Sequence, residues 1–115
     1  MHEYSIVQSL MGHIEAQARE HGATAVRHVA VRIGELSGVD PELLRSAYDL
    51  MRERSICAAA PLSVTPVAAR WACRQCGAPV AAGGPLRCPA CGAPARLVSG
   101  DEILLERLEL EVPDV

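Results

Sequence analysis

The chain has 115 residues, with 11 Lys and Arg against 14 Asp and Glu, for a net charge of −3. This length sets one small domain, or one domain with a metal-stapled lobe. No apolar run approaches the roughly 20 residues of a membrane span, and no basic n-region leads into an apolar h-region, so the expectation is a soluble, cytoplasmic protein.

The chain opens Met1-His2-Glu3. A terminal amine, backbone amides and an imidazole can together wrap a square-planar Ni(II) or Cu(II). The competing reading is a solvated terminal histidine. From Tyr4 to about Glu20 the spacing predicts a helix: Val7, Leu10, Met11, Ile14 and Ala18 recur at intervals of three and four. Ser5 is its expected cap and Gly22 its C-terminal stop. Ala25 to Ile33 alternates, with Val29, Val31 and Ile33 facing one way and His28, Ala30 and Arg32 the other, which predicts a half-buried strand.

A glycine-punctuated turn, Gly34-Glu-Leu-Ser-Gly38, leads to a second helix. Asp40 is its N-cap and Pro41 its first residue, with Leu43, Leu44, Ala47, Tyr48 and Met51 as the buried stripe. Asp40 and Glu35 have rival readings as nickel or partner contacts. Cys57 reads as a small buried residue. Leu62 to Ala69 is a strand that Pro66 confines to an edge or a bulge.

Next come two similar knuckles, Cys73-Arg-Gln-Cys76-Gly-Ala-Pro and Cys88-Pro-Ala-Cys91-Gly-Ala-Pro. Each places two sulfurs on one side of a tight turn, with a glycine free to take positive φ behind them. Facing one another, the knuckles supply four soft ligands, the set of a closed structural zinc site; iron suits the same sulfurs. A cytosolic setting disfavours disulfides, the duplication disfavours a thioredoxin-like pair, and no His follows either motif as haem attachment requires. The lobe from about Arg70 to Val98 is rich in Ala, Gly and Pro, so metal binding must supply on the order of 10 kcal/mol of its folding free energy.

Ile103 to Val112 is a final strand, with Leu104, Leu108, Leu110 and Val112 on one face. The expected fold is α+β: two helices packed on a small, roughly three-stranded sheet, with an inserted zinc-ribbon-like lobe carrying four cysteine ligands. Residues 1–69 and 99–115 form the body, 70–98 the lobe, and the strands either side of the lobe are expected to pair. The exposed edges leave a homodimer as open as a monomer.

Arg70, Arg74, Arg87 and Arg96 fall in a lobe with no Asp or Glu, while the rest of the chain is acidic. One aromatic, Trp71, and no Lys make a weak nucleic-acid binder, and a protein partner suits the charge better. A zinc-ribbon interaction module without nickel function is the alternative to metal carriage. No catalytic grouping stands out, so no enzyme is expected.

The start M-H-E-Y-S-I-V-Q-S-L, the turn I-G-E-L-S-G-V and the twin C-x-x-C lobe, in this order over nearly the whole chain, resemble the HypA/HybF family of nickel metallochaperones for NiFe-hydrogenase maturation. The resemblance implies nickel on Met1 (amine), His2 (imidazole and amide) and Glu3 (amide, carboxylate nearby). It puts structural zinc on Cys73, Cys76, Cys88 and Cys91. It also implies a HypB-type GTPase and the hydrogenase large-subunit precursor as partners, with urease accessory proteins in some members. A zinc site recruiting histidine would borrow His2, His13, His21 or His28.

Overall fold

The 3–4 spacing of the first segment produces a helix whose burial follows the expected stripe. In the computed structural model, which describes residues 2–113 apart from the His2 side chain, α1 runs His2–Glu20. Val7, Met11, Ile14 and Ala18 are buried and Leu10 is half-buried. The helix begins before Tyr4, so Ser5 lies inside it and is not its cap; an N-cap must precede the first helical residue. Gly22, at φ 67°, ends the helix: the Ala23 N–H donates to the Ala18 carbonyl at 2.8 Å, closing the last turn.

β1 (Ala25–Gly34) is buried on both faces, through Val29, Val31 and Ile33 on one and Val26 and Ala30 on the other. It is therefore not the half-buried strand expected. Its place explains this, because the first sheet has the order β2-β1-β6, with β2 spanning Leu62–Val67 and β6 Ile103–Glu111. The expected pairing of β2 with β6 does not form. β1, with buried residues on both faces, takes the centre, and Pro66 sits on an edge strand as its missing N–H requires.

α2 (Pro41–Met51) starts as read. The Asp40 carboxylate accepts the Glu42 N–H at 2.9 Å, and Pro41 occupies the first turn. Leu44, Ala47 and Tyr48 are buried, but Leu43 is 55 % exposed and Met51 only half-buried. The buried stripe is narrower than expected, because Leu43 sits about 100° around the helix from Leu44. The helix returns the chain to a strand parallel to β1: Val26 and Val29 N–H groups donate to the Ile56 and Pro61 carbonyls. β6 runs the other way, with the Thr24 N–H on the Glu111 carbonyl and Arg32 paired with Glu106. In β6, Leu108 and Leu110 are half-buried, whereas Leu104, and Val112 just past the strand, are exposed. Those two lie at or beyond the ends of an edge strand, which has a neighbour on one side only.

The chain forms two compact units. One holds residues up to Arg32, Val39–Thr65 and from Leu104 onward; the other holds Ile33–Gly38 and Pro66–Ile103. The second unit contains a small antiparallel sheet, β4-β3-β5, built from β3 (Arg70–Cys73), β4 (Pro79–Val80) and β5 (Ala95–Ser99). Within this unit the turn at Gly34 is tied on two sides. The Glu35 N–H donates to the Val67 carbonyl, the Leu36 N–H to the Gly100 carbonyl at 2.6 Å, and the Glu35 carboxylate accepts the Ala69 N–H. Gly100 has φ 103°, and a Cβ there would lie 2.5 Å from the Ala69 Cα. Among the described residues, no helix is long and apolar enough to cross a membrane.

Candidate metal sites

The two knuckles fold alike. In each, the glycine after the second cysteine has φ 74°, and its N–H donates to the carbonyl of the first cysteine, at 3.1 Å for Gly77 on Cys73 and 2.8 Å for Gly92 on Cys88. The first cysteine's own N–H returns to the residue after that glycine, Cys73 to Ala78 and Cys88 to Ala93. Positive φ is what lets the chain double back this tightly, so each glycine is required by the turn.

This geometry brings all four sulfurs within 4.8 Å of one another. Cys73 Sγ lies 3.2 Å from Cys91 Sγ, and Cys76 Sγ 3.7 Å from Cys88 Sγ. Zinc–sulfur bonds of about 2.3 Å in a tetrahedron put neighbouring sulfurs roughly 3.8 Å apart, so the cluster fits one such ion. Cys73 and Cys88 are buried and join Val80 and Ala93 in a small core, against which Trp71, Ala78 and Ala95 pack. Cys76 and Cys91 are exposed. Each knuckle thus roots one cysteine in the core and presents the other at the surface.

Acidity follows the same division. The Cys76 N–H directed at its sulfur, followed by the Cys91 thiol, lowers the Cys73 thiol to about 6, and the Cys91 and Ala90 N–H groups lower Cys88. The Gln75 and Cys76 N–H groups both lie 3.4 Å from Cys73 Sγ. Cys76 and Cys91 also receive N–H groups, from Ala78 and Ala93, but proton sharing with neighbouring thiols prevails and pushes both up, Cys91 to about 12. Four thiolates this close repel one another, and a divalent cation is what allows all of them to ionise.

At the other end of the chain, Met1 and the His2 side chain lie outside the described residues, so two of the three residues expected to hold nickel are not placed. Glu3 is placed: its carboxylate accepts the Asp40 N–H at 3.3 Å, linking the first turn of α1 to the residue that caps α2. This contact has no sequence signature, because its donor is a backbone group. Asp40 is the helix cap it was read to be. The Glu35 carboxylate is engaged by the Ala69 N–H. His13 and His21 are exposed, and His28 is half-buried with a ring nitrogen 2.8 Å from the Ser63 hydroxyl. None of these three histidines joins the four-cysteine cluster. Cys57 is fully buried and is not part of that cluster.

A helical unit and a unit whose four cysteine sulfurs could hold one metal ion define a small protein with the donor set of a metal handler. Residues 1–110 match the family described as hydrogenase/urease nickel incorporation, metallochaperone, hypA. The chain is 40 % identical to the hydrogenase maturation factor HypA of Wolinella succinogenes, over 99 % of this chain and 98 % of that one. Against the Aquifex aeolicus factor of the same name it is 40 % identical, over 97 % and 99 %. The solution structure of the nickel metallochaperone HypA from Helicobacter pylori superposes with a TM-score of 0.75 at 30 % identity, covering 96 % and 98 % of the two chains. A second HypA solution structure gives 0.80 at 31 % identity, covering 98 % of each. The chain belongs to the HypA family of nickel-incorporation metallochaperones, which are maturation factors and not enzymes.

Proposed function

We propose that this protein carries Ni(II) at Met1, His2 and Glu3 and delivers it in the cytoplasm during NiFe-hydrogenase maturation. The observation that carries this reading is family membership over residues 1–110, in a chain that opens Met1-His2-Glu3 at the start of a helix. The first N–H groups of a helix have no intrahelical acceptor. Amides at His2 and Glu3 can therefore bind a metal without breaking a helix bond. The Glu3 carboxylate, already turned to the Asp40 N–H, adds a negative charge beside the ion.

Amine, imidazole and amide donors all compete with protons, so acidification or contact with a partner promotes release. The receiving proteins are a HypB-type GTPase and the hydrogenase large-subunit precursor, with urease accessory proteins as a second outlet. Zinc on Cys73, Cys76, Cys88 and Cys91 is structural: four thiolates close the coordination sphere and leave no position for substrate.

The test is nickel calorimetry on zinc-loaded protein in three forms: native, His2→Ala, and a form with one extra residue before Met1. Tight binding to the native form alone is the expected result. Equal binding to all three would move nickel away from the terminus.

A further inference from the structure

The second unit has a groove that borders the four-cysteine core without including a cysteine. Direct cross-strand partners share a face of a sheet, and Ala72 is flanked by Pro79 on β4 and Arg96 on β5. At the end of this sheet opens a groove of about 300 Å³, walled by Arg70, Trp71, Ala72, Pro79, Val80 and Val98. Val98 is 50 % exposed. It sits where the β3–β5 register slips, so the strand bulges at the groove.

The strands of this unit carry arginines as their only charged residues, while Glu35, whose carboxylate accepts the N–H of the wall residue Ala69, and Asp101 and Glu102 lie outside them. Residues 66–100 contain Arg70, Arg74, Arg87 and Arg96 and no Asp or Glu. All four arginines are exposed. The Arg87 guanidinium donates to the Gly92 carbonyl, while the side chains of Arg70, Arg74 and Arg96 make no hydrogen bond or ion pair among the described residues. Arginine's planar fork matches a carboxylate in two parallel bonds, so unengaged arginines beside an apolar groove suit an acidic chain that also carries aliphatic side chains.

We infer that this groove docks an extended acidic segment of a partner protein, with an aliphatic side chain against Val98 and Pro79 and carboxylates on Arg70 and Arg96. Nucleic acid fits less well. Trp71 packs against the cysteine core and so is not a free stacking platform, and a phosphate backbone offers nothing to the apolar wall. Docking of this kind does not depend on where nickel binds.

Trp71 is the chain's one tryptophan and lines the groove, so its fluorescence reports occupancy. Zinc-loaded full-length protein would be titrated with three probes. These are the peptide acetyl-Glu-Leu-Glu-Val-Glu-Leu-Glu-amide, the same peptide with Gln for every Glu, and a twelve-residue oligothymidylate. The variants are R70Q, V98N and, as a control in the other unit, R27Q, each checked for one equivalent of zinc.

The acidic peptide should shift Trp71 emission and saturate. The Gln peptide and R70Q should each bind about tenfold more weakly, as loss of a charge-assisted pair implies. V98N should weaken binding at any salt concentration, and R27Q should match the native protein. Absence of saturable binding by the acidic peptide would overturn the inference, as would equal losses in R70Q and R27Q. Tighter binding of the oligothymidylate would make the face a nucleic-acid surface instead.

Discussion

Cys57 and Tyr48 bring a thiol and a hydroxyl into the interior of the first unit. Both residues are 0 % exposed. The Tyr48 hydroxyl donates to the Ala60 carbonyl at 2.8 Å, and Arg52 donates to the same oxygen at 2.7 Å while its guanidinium lies 5.7 Å from the Tyr48 ring centroid. Burial pushes the Cys57 thiol up, against a lowering pull from the Tyr48 and Ser55 hydrogen bonds, and burial likewise raises Tyr48. A raised folded-state pKa means the folded protein holds its proton more tightly than the unfolded chain. The resulting stability is present below the unfolded thiol value of about 8.5 and is lost as pH rises through the folded value. Urea midpoints of zinc-loaded protein should therefore fall between about pH 8 and 10. They should fall less steeply in Cys57→Ala, which has no thiol to titrate; identical slopes would mean that Cys57 contributes nothing to the pH dependence. A lone cysteine among alanines is legible as small and buried. The Tyr48–Arg52–Ala60 arrangement around it is not, because it depends on where a distant carbonyl returns to the helix.

At the level of elements, the start of α2, the stop of α1 at Gly22 and the knuckles were legible because their determinants are local, whereas Ser5 was misread as the cap of α1. Asp40 and Pro41 start α2, and Gly77 and Gly92 take positive φ at matching places in the two knuckles, as the repeated motif implies. Sheet order was not legible. β2 and β6 flank the lobe in the chain, yet β1 lies between them, a choice made by burial on both faces of β1 rather than by proximity in sequence. The strands β3–β5 were also missed, since a lobe rich in Ala, Gly and Pro carries little β-propensity. Two glycines separate local from tertiary constraint. Gly12 is in α1 with nothing within 4 Å of an added Cβ, so Gly12→Ala should stabilise the protein by about 0.5–1 kcal/mol. Gly100→Ala meets both a positive φ and the Ala69 backbone and should destabilise by at least about 2 kcal/mol. Thermal unfolding of the two variants measures both; a neutral Gly100→Ala would mean the turn at Gly34 is not held as tightly as its hydrogen bonds indicate.

Across the whole molecule, each unit has its own source of stability. The first buries Val7, Ile14, Val29, Leu44 and Tyr48. The second has four buried apolar or cysteine residues in its small core, two of them from the four-sulfur cluster, so on the proposed function its fold depends on the zinc ion. Zinc chelation should abolish amide-exchange protection in β3 and β5 while β1 and α1 keep theirs; equal loss in both would show a single cooperative fold. The clustering of the four cysteines was legible from spacing alone, and the family resemblance supplied what spacing could not: the role proposed for the first three residues.

On the proposed function, nickel and zinc occupy chemically separate sites, nitrogen donors at the start of α1 and thiolates in the knuckles. X-ray absorption at the nickel edge, on protein carrying one equivalent of each metal, tests this most directly. The expected spectrum has a square-planar edge feature and a first shell of nitrogen and oxygen without sulfur. A sulfur shell around nickel would place the cargo on the cysteines and contradict the separation.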